Sequence, residues 1–117
     1  ERGSGYDKVV FQTEYYQLPA PEVDIYNDHT KVILYAHKEF SKMSKDDRYR
    51  ACYLHACLMY IQGDGLTNAS LRKRFGVKDS LSGSISRLIK EAVGQGLVKP
   101  FDPDTAPRYM KYIPAWA

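Results

Sequence analysis

The sequence predicts an α+β fold in which three consecutive helices are closed by a β-hairpin and preceded by a further helix and hairpin. Three observations carry this expectation. Residues 67–96, TNASLRKRFGVKDSLSGSISRLIKEAVGQG, read as two capped helices around a glycine turn, the grammar of a helix-turn-helix. The run before them, from Ser44 to Gln62, keeps apolar residues at helical spacing. The segments after them, LVKPF and RYMKYIP, are β-prone and punctuated by proline.

Taken in order, residues 6–17 (YDKVVFQTEYYQ) predict a helix with Tyr6, Val9, Val10, Thr13 and either Tyr16 or Gln17 near one face. Gly3-Ser4-Gly5 leads into it, and Pro19 and Pro21 end it by imposing extended backbone. EVDIY and TKVILYA flank Asn27-Asp28-His29. Val23 and Ile25 alternate, as do Val32, Leu34 and Ala36, which predicts a hairpin. A helix and one hairpin are too small a unit to be stable alone. Residues 1–40 are therefore expected to pack on the remainder, to pair with another copy, or to be the tail of a preceding domain.

Ser44 to Asp47 resembles a capping box, with Ser44 as N-cap and the Asp47 carboxylate reaching back to its amide. Asp46 and Asp47 suit the positive end of a helix. Ala51, Leu54, Leu58 and Ile61 form the expected buried stripe. Tyr49, Cys52, Tyr53, Ala56, Cys57 and Tyr60 surround it, so this helix is apolar on most sides. Gly63-Asp64-Gly65 stops it. Thr67 is the next N-cap, Leu66 and Leu71 have the spacing of a hydrophobic staple, and Gly76 supplies a left-handed C-cap. The third helix is expected to start near Asp79 or Ser80, both good caps. Leu81, Ile85, Leu88, Ile89 and Ala92 are its buried stripe. Gly83, Arg87 and Lys90 lie opposite, with Ser80, Ser84 and Ser86 at the edges. Beyond Gly94 and Gly96, the two proline-limited strands close residues 44–117 as a winged helix-turn-helix, with Arg108 and Lys111 as the basic residues of the wing.

With 117 residues, 44% of them hydrophobic and 26% charged, the chain is long enough for one modest globular domain, or a smaller one plus a fragment. No apolar run approaches the roughly 20 residues that span a bilayer, and residues 1–6 lack the apolar core of a signal peptide. A first residue other than Met is expected of a piece of a longer protein. Cys52 and Cys57 fall in one predicted helix and cannot staple distant segments, which fits a reducing, cytoplasmic setting.

The formal net charge of +3 is unevenly spread. Residues 1–43 carry five Lys/Arg against seven Asp/Glu, while residues 44–65 and 101–117 balance. Residues 66–100 hold Arg72, Lys73, Arg74, Lys78, Arg87, Lys90 and Lys99 against only Asp79 and Glu91. All the positive excess sits in the helix pair, the footprint expected of a nucleic-acid binder. DNA is accordingly the expected partner. Arg87, Lys90, Ser80 and Ser84 would approach the major groove from the third helix. Arg72, Lys73, Arg74 and Lys78, with Arg108 and Lys111 of the wing, would meet phosphates.

Other constellations are weaker. Gly3-Ser4-Gly5 could cradle a nucleotide phosphate at a helix N-terminus, yet it lacks the lysine and hydroxyl of a Walker loop and reads more simply as a helix lead-in. Cys52, His55 and Cys57 form C-x-x-H-x-C, but the i, i+5 spacing rotates Cys57 away and no second cluster completes a metal site. His29 and His37 have no identifiable acid or nucleophile partner. No hydrolytic triad is evident, so an enzyme is not expected in this segment, and neither is a cofactor or metal. The ten tyrosines invite stacking on bases, although most fall at packing positions. Tyr109 and Tyr112 lie on opposite faces of the last strand, one expected buried and one exposed.

LTNASLRKRFG, SGSISRLIKEAVGQGLVKPFDPD and APRYMKYIPAWA resemble the C-terminal region of bacterial proteins described as RecG-related ATP-dependent DNA helicases or putative transcriptional regulators. ERGSGYDKV and LPAPEVDIYNDHTKVILYAHKEF resemble the last helix and hairpin of the divergent ATP-binding domain of that family, which follows an AlbA-like (Schlafen-type) DNA-binding domain. The resemblance implies a DNA-binding winged helix in residues 44–117, a domain remnant in residues 1–40, and ATP as a cofactor of the parent protein rather than of this segment. A protein-interaction or homodimerisation module without DNA contact is the alternative. A segment that transmits the work of an ATP-dependent enzyme is a third reading.

Overall fold

The computed structural model describes residues 4–117. The elements follow in the order α1 (Ser4–Tyr15), β1 (Glu22–Ile25), β2 (Thr30–Ile33), α2 (Lys45–Ile61), α3 (Asn68–Phe75), α4 (Ser82–Gly94), β3 (Val98–Pro100) and β4 (Tyr112–Pro114). Four helices with two separate antiparallel hairpins make this a small α+β fold. Gly3 of the Gly3-Ser4-Gly5 lead-in lies outside the described residues, and Ser4 already opens α1.

The caps written into the sequence set the ends of α2 and α3. The Ser44 hydroxyl accepts from the Asp47 amide at 3.1 Å, and the Asp47 carboxylate accepts from the Ser44 amide at 3.4 Å. Thr67 and Ser70 form a second reciprocal box at the start of α3, with both bonds at 3.0 Å. Leu66 and Leu71 are fully buried, as the staple requires. Gly76 ends α3 at φ 67°, the left-handed region that glycine enters without strain.

α1 ends in the same manner without glycine. Gln17 stands at φ 57°, with the Leu18 amide donating to the Thr13 carbonyl at 2.9 Å. A left-handed glutamine costs about 1 kcal/mol. The Gln17 side chain offsets it by donating from Nε2 to the Lys73 carbonyl at 2.8 Å. Two helix ends, 56 residues apart in sequence, are thereby joined.

One apolar cluster fills the centre. Ala51, Cys52 and Ala56 of α2 let α4 approach closely with Ile85, Leu88, Ile89 and Ala92. Ala20 and Phe40 from the N-terminal segment belong to the same cluster, and the Phe40 ring lies 4.8 Å from that of Phe75. The sequence-predicted stripe of α2 is therefore rotated. Ala51 is on it, but Leu54 and Leu58 are half-buried and Ile61 is 76% exposed. The small residues face α4, and the last turn of α2 runs past the core.

Two further expectations are corrected. Neither Asp79 nor Ser80 caps α4: residues Asp79–Leu81 form a 3-10 turn, and α4 starts at Ser82 with no side-chain cap. The Asp79 carboxylate is instead held by Arg72, and Leu81 remains exposed. The predicted strand RYMKYIP begins late, because Pro107–Tyr109 form another 3-10 turn and only Tyr112–Pro114 pair with Val98–Pro100. Leu66 exchanges two backbone hydrogen bonds of 2.8 Å with Tyr112, so the lead-in to α3 lies beside β4.

The first hairpin forms in the expected place, with Val23 opposite Val32 and Ile25 opposite Thr30, but β2 stops at Ile33. Its polar face turns inward. Glu22 accepts from the Tyr35 hydroxyl at 2.9 Å and lies 3.4 Å from Arg50, while Val23, Ile25 and Val32 face outward.

Candidate nucleic-acid interface

α4 displays the face the sequence assigns to it. Gly83, Ser86, Arg87 and Lys90 are exposed, while Ser84 is half-buried and accepts from Arg87 at 3.2 Å. Ser80 and Lys78 are exposed on the turn before the helix, and Lys73 is exposed on α3. Among the described residues, none of Lys73, Lys78, Arg87, Lys90 or Arg108 sits in an ion pair. With no carboxylate to compete for it, their charge is available to an incoming anion.

Beside this face runs a groove of about 780 Å³ between the start of α3, the first half of α4 and the segment before β4. Arg72, Arg108 and Lys111 line it, together with Ser82 and Ser86, and Ile89 and Met110 contribute apolar surface. Arg72 is partly neutralised by Asp79, and Lys111 lies 3.0 Å from Asp64. The Gly65 amide and then Lys111 hold the Asp64 carboxyl below the ordinary carboxylate range. Tyr112 packs against the core and Tyr109 is 68% exposed on the groove wall, the split expected of that pair. The Arg108 guanidinium lies 5.3 Å from the Tyr109 ring centroid.

Asn68 holds the groove walls together, a role with no signal in the sequence beyond its place after the cap. Its Nδ2 donates to the Ser82 carbonyl at 3.0 Å and to the Ser86 hydroxyl at 2.8 Å. Its Oδ1 accepts from Arg72 Nε at 2.7 Å and from the Ser82 hydroxyl at 3.2 Å. Arg72 is thus oriented from both ends, by Asn68 and by Asp79.

Arg74 does not join this surface. It is 3% exposed, its Nε is paired with Glu14 of α1, and its Nη2 donates to the Leu18 carbonyl. The expectation of a phosphate contact is corrected, since the basic run continues onto the face of α3 that α1 covers. Burial pulls the Arg74 pKa down to about 10, which leaves it charged at neutral pH.

The other Glu14 oxygen lies 2.6 Å from His55 Nδ1, and His55 Nε2 lies 3.0 Å from the Ser70 hydroxyl. This string has the connectivity of an acid, a base and a hydroxyl. Its chemistry is that of a clasp, because Ser70 also serves the cap of α3 and Glu14 also serves Arg74. Burial pushes the His55 pKa down to about 4. A second cation beside the Arg74–Glu14 pair is disfavoured, so the neutral ring donates from Nδ1 to Glu14 and accepts at Nε2 from Ser70. Sequence spacing could not pair His55 with residues 41 and 15 positions away.

The remaining candidates separate. Cys52 is buried, with its thiol pushed up to about 12 by burial, and Cys57 is half-buried. Both are free, and His55 points its ring nitrogens elsewhere. His29 does find an acid, contrary to expectation: its Nδ1 lies 2.6 Å from Asp28 on the exposed hairpin turn. No family model, curated protein or solved structure matches this chain.

Proposed function

We propose that residues 44–117 act as a winged-helix DNA-binding domain, with α4 as the reading helix and residues 101–111 as the wing. The observation that carries this reading is the set of exposed cations on α4, α3 and the wing segment that lack carboxylate partners, contiguous with a cationic groove. The small residues Gly83 and Ser86 permit close approach of a phosphate backbone, while Arg87 and Lys90 supply charge. With few long polar side chains on that face, contact is led by shape and phosphate rather than by a base code.

The pairing of three helices with a terminal hairpin supports the winged-helix assignment. The resemblance to bacterial RecG-related helicase-like proteins and transcriptional regulators supports the assignment of residues 1–40 to the end of a preceding ATP-binding domain. In that setting the segment is a cytoplasmic binding module, and ATP belongs to the parent protein. Among the described residues, no helix is long and apolar enough to cross a membrane.

A salt titration of duplex binding by fluorescence anisotropy tests the reading. Five phosphate contacts give a slope of log K on log salt of about −4.5. Arg87→Ala and Lys90→Ala should each lower affinity and flatten that slope by about 1. Absence of duplex binding at 20–50 mM salt, on the order of the most favourable condition for a basic domain, sinks the proposal.

A second reading, self-association, is favoured by one observation, the outward apolar face of Val23, Ile25 and Val32 on a two-stranded hairpin. Sedimentation equilibrium decides it: a strictly monomeric species at high concentration removes it.

A further inference from the structure

We infer that the groove between α3, α4 and residues 107–112 takes a single nucleic-acid strand, with an unpaired base stacked on Tyr109. The inference rests on the DNA-binding reading and narrows it to DNA carrying a single-stranded end or junction.

Tyr109 is the first reason. A tyrosine that packs a hairpin turns its ring inward, as Tyr112 does three residues later at the start of β4. Tyr109 instead stands on the 3-10 turn that Pro107 opens, 68% exposed and on the wall of the groove. Leaving that ring in water forgoes the ~1.5–3 kcal/mol that burying an aromatic side chain yields. The Arg108 guanidinium lies 5.3 Å from the ring centroid, placing a cation beside the aromatic face while the rest of the ring surface stays open.

The mixture of groups is the second reason. A site for phosphate alone needs cations and amides. This groove has Arg72, Arg108 and Lys111, but also Ile89 and Met110 as apolar surface, and the hydroxyls of Ser82 and Ser86. Charge for a backbone, an aromatic face for a base and an apolar floor together describe a nucleotide unit. Its volume of about 780 Å³ lies in the range of ~300–1,000 Å³ that takes whole ligand groups. In a blunt duplex the bases are stacked on each other and only the terminal pairs keep an open face. An unpaired strand offers Tyr109 a free face at every base.

The geometry is also continuous. Ser86 lines the groove, and Arg87 and Lys90 follow it on the exposed face of α4. A duplex lying on α4 would deliver its strand end to Tyr109, so the helix and the groove can be filled together.

The test compares three fluorescein-labelled DNAs of one sequence by anisotropy at fixed salt: a blunt duplex, and the same duplex with a 3′ or a 5′ dT overhang. Base–aromatic stacking is worth about 1–3 kcal/mol, so one overhang should bind roughly 5- to 150-fold more tightly than the blunt form. Tyr109→Ala should remove that advantage, costing more on the overhang DNA than on the blunt duplex, while Tyr109→Phe should keep it. Tyr109 is exposed, and an unchanged melting temperature for both variants confirms that the fold is intact. Equal affinity for all three DNAs overturns the strand inference and leaves the duplex reading standing. So does a Tyr109→Ala loss that is the same on blunt and overhang DNA. If none of the three binds, the DNA-binding reading itself fails, and the inference goes with it.

Discussion

Removing Glu14 should do more damage than any surface charge in the molecule. Its side chain is 9% exposed and that of its partner Arg74 1%, so water can neither screen the pair nor replace it. With Glu14→Ala the guanidinium stays buried with the Leu18 carbonyl as its remaining hydrogen-bond acceptor, and Arg74 Nη1 already has none. His55 Nδ1 loses its acceptor as well. Breaking one side of a buried pair costs about 3–5 kcal/mol, a large share of the roughly 5–15 kcal/mol that holds a domain of this kind folded. At about 4 °C per kcal/mol for this chain length, the melting temperature should fall by roughly 12–20 °C. Circular dichroism melts and urea titrations measure it. Removing both charges with Glu14→Leu and Arg74→Met should cost less than either single truncation to alanine, because no uncompensated ion remains. Single substitutions that each cost under about 1 kcal/mol, or a double variant whose loss equals their sum, would refute the reasoning.

Two other measurements follow from the same region. His55 has a folded-state pKa of about 4, below its ordinary value of 6.5, so the unfolded chain takes up the proton first as pH falls. Stability is intact above about pH 6.5 and should decline by about 3 kcal/mol as pH drops toward 4. His55→Gln should flatten that dependence in urea melts, and an unchanged slope would contradict it. Asp47 acts in a lower window. Burial alone would raise its carboxyl, but the Ser44 amide, Lys38 and Arg50 together hold it below its ordinary value, so its contribution disappears only as pH falls through the acid range below 3.8. Gly76→Ala meets two obstacles, since the new Cβ would enter the left-handed region and stand 2.6 Å from Gln17 Oε1. A cost of about 1–2 kcal/mol is expected, and a melting temperature within about 2 °C of the parent would show that Gln17 moves freely.

The parts of the fold that local chemistry dictates were readable, and those chosen between distant segments were not. Ser44 with Asp47, Thr67 as a cap, and Gly76 as a stop each act within four residues, so spacing alone places the ends of α2 and α3. The face α2 buries was misread because the helix is apolar on most sides; only the small residues Ala51, Cys52 and Ala56 admit α4, and size carries no periodicity. Arg74 was misread for a related reason. In the run Arg72-Lys73-Arg74 the three side chains point about 100° apart: Arg72 toward the groove, Lys73 to solvent and Arg74 under α1. The basic run marks a surface, and helical geometry hands one of its members to the core. The start of α4 failed because Asp79, a good cap by type, is taken by Arg72.

These corrections place α3 between two fixed ends. At its C-terminal turn, Gln17 holds the Lys73 carbonyl and Glu14 holds Arg74. At its N-terminal turn, Ser70 completes the Thr67 cap while touching His55, and Asn68 grips Ser82 and Ser86 of α4. Ser70 and Arg74 are four residues apart on an eight-residue helix, so both fall on one side and both reach the Glu14–His55 pair. Asn68 and Arg72 have the same spacing on the side facing the groove. α3 therefore separates a buried clasp from a solvent-facing network with only two helical turns between them. Glu14 of α1 holds Arg74 on one side of α3, and Asn68 on the other side holds Ser82 and Ser86 of α4. The N-terminal segment is bolted to the helix that sets the geometry of the candidate DNA surface.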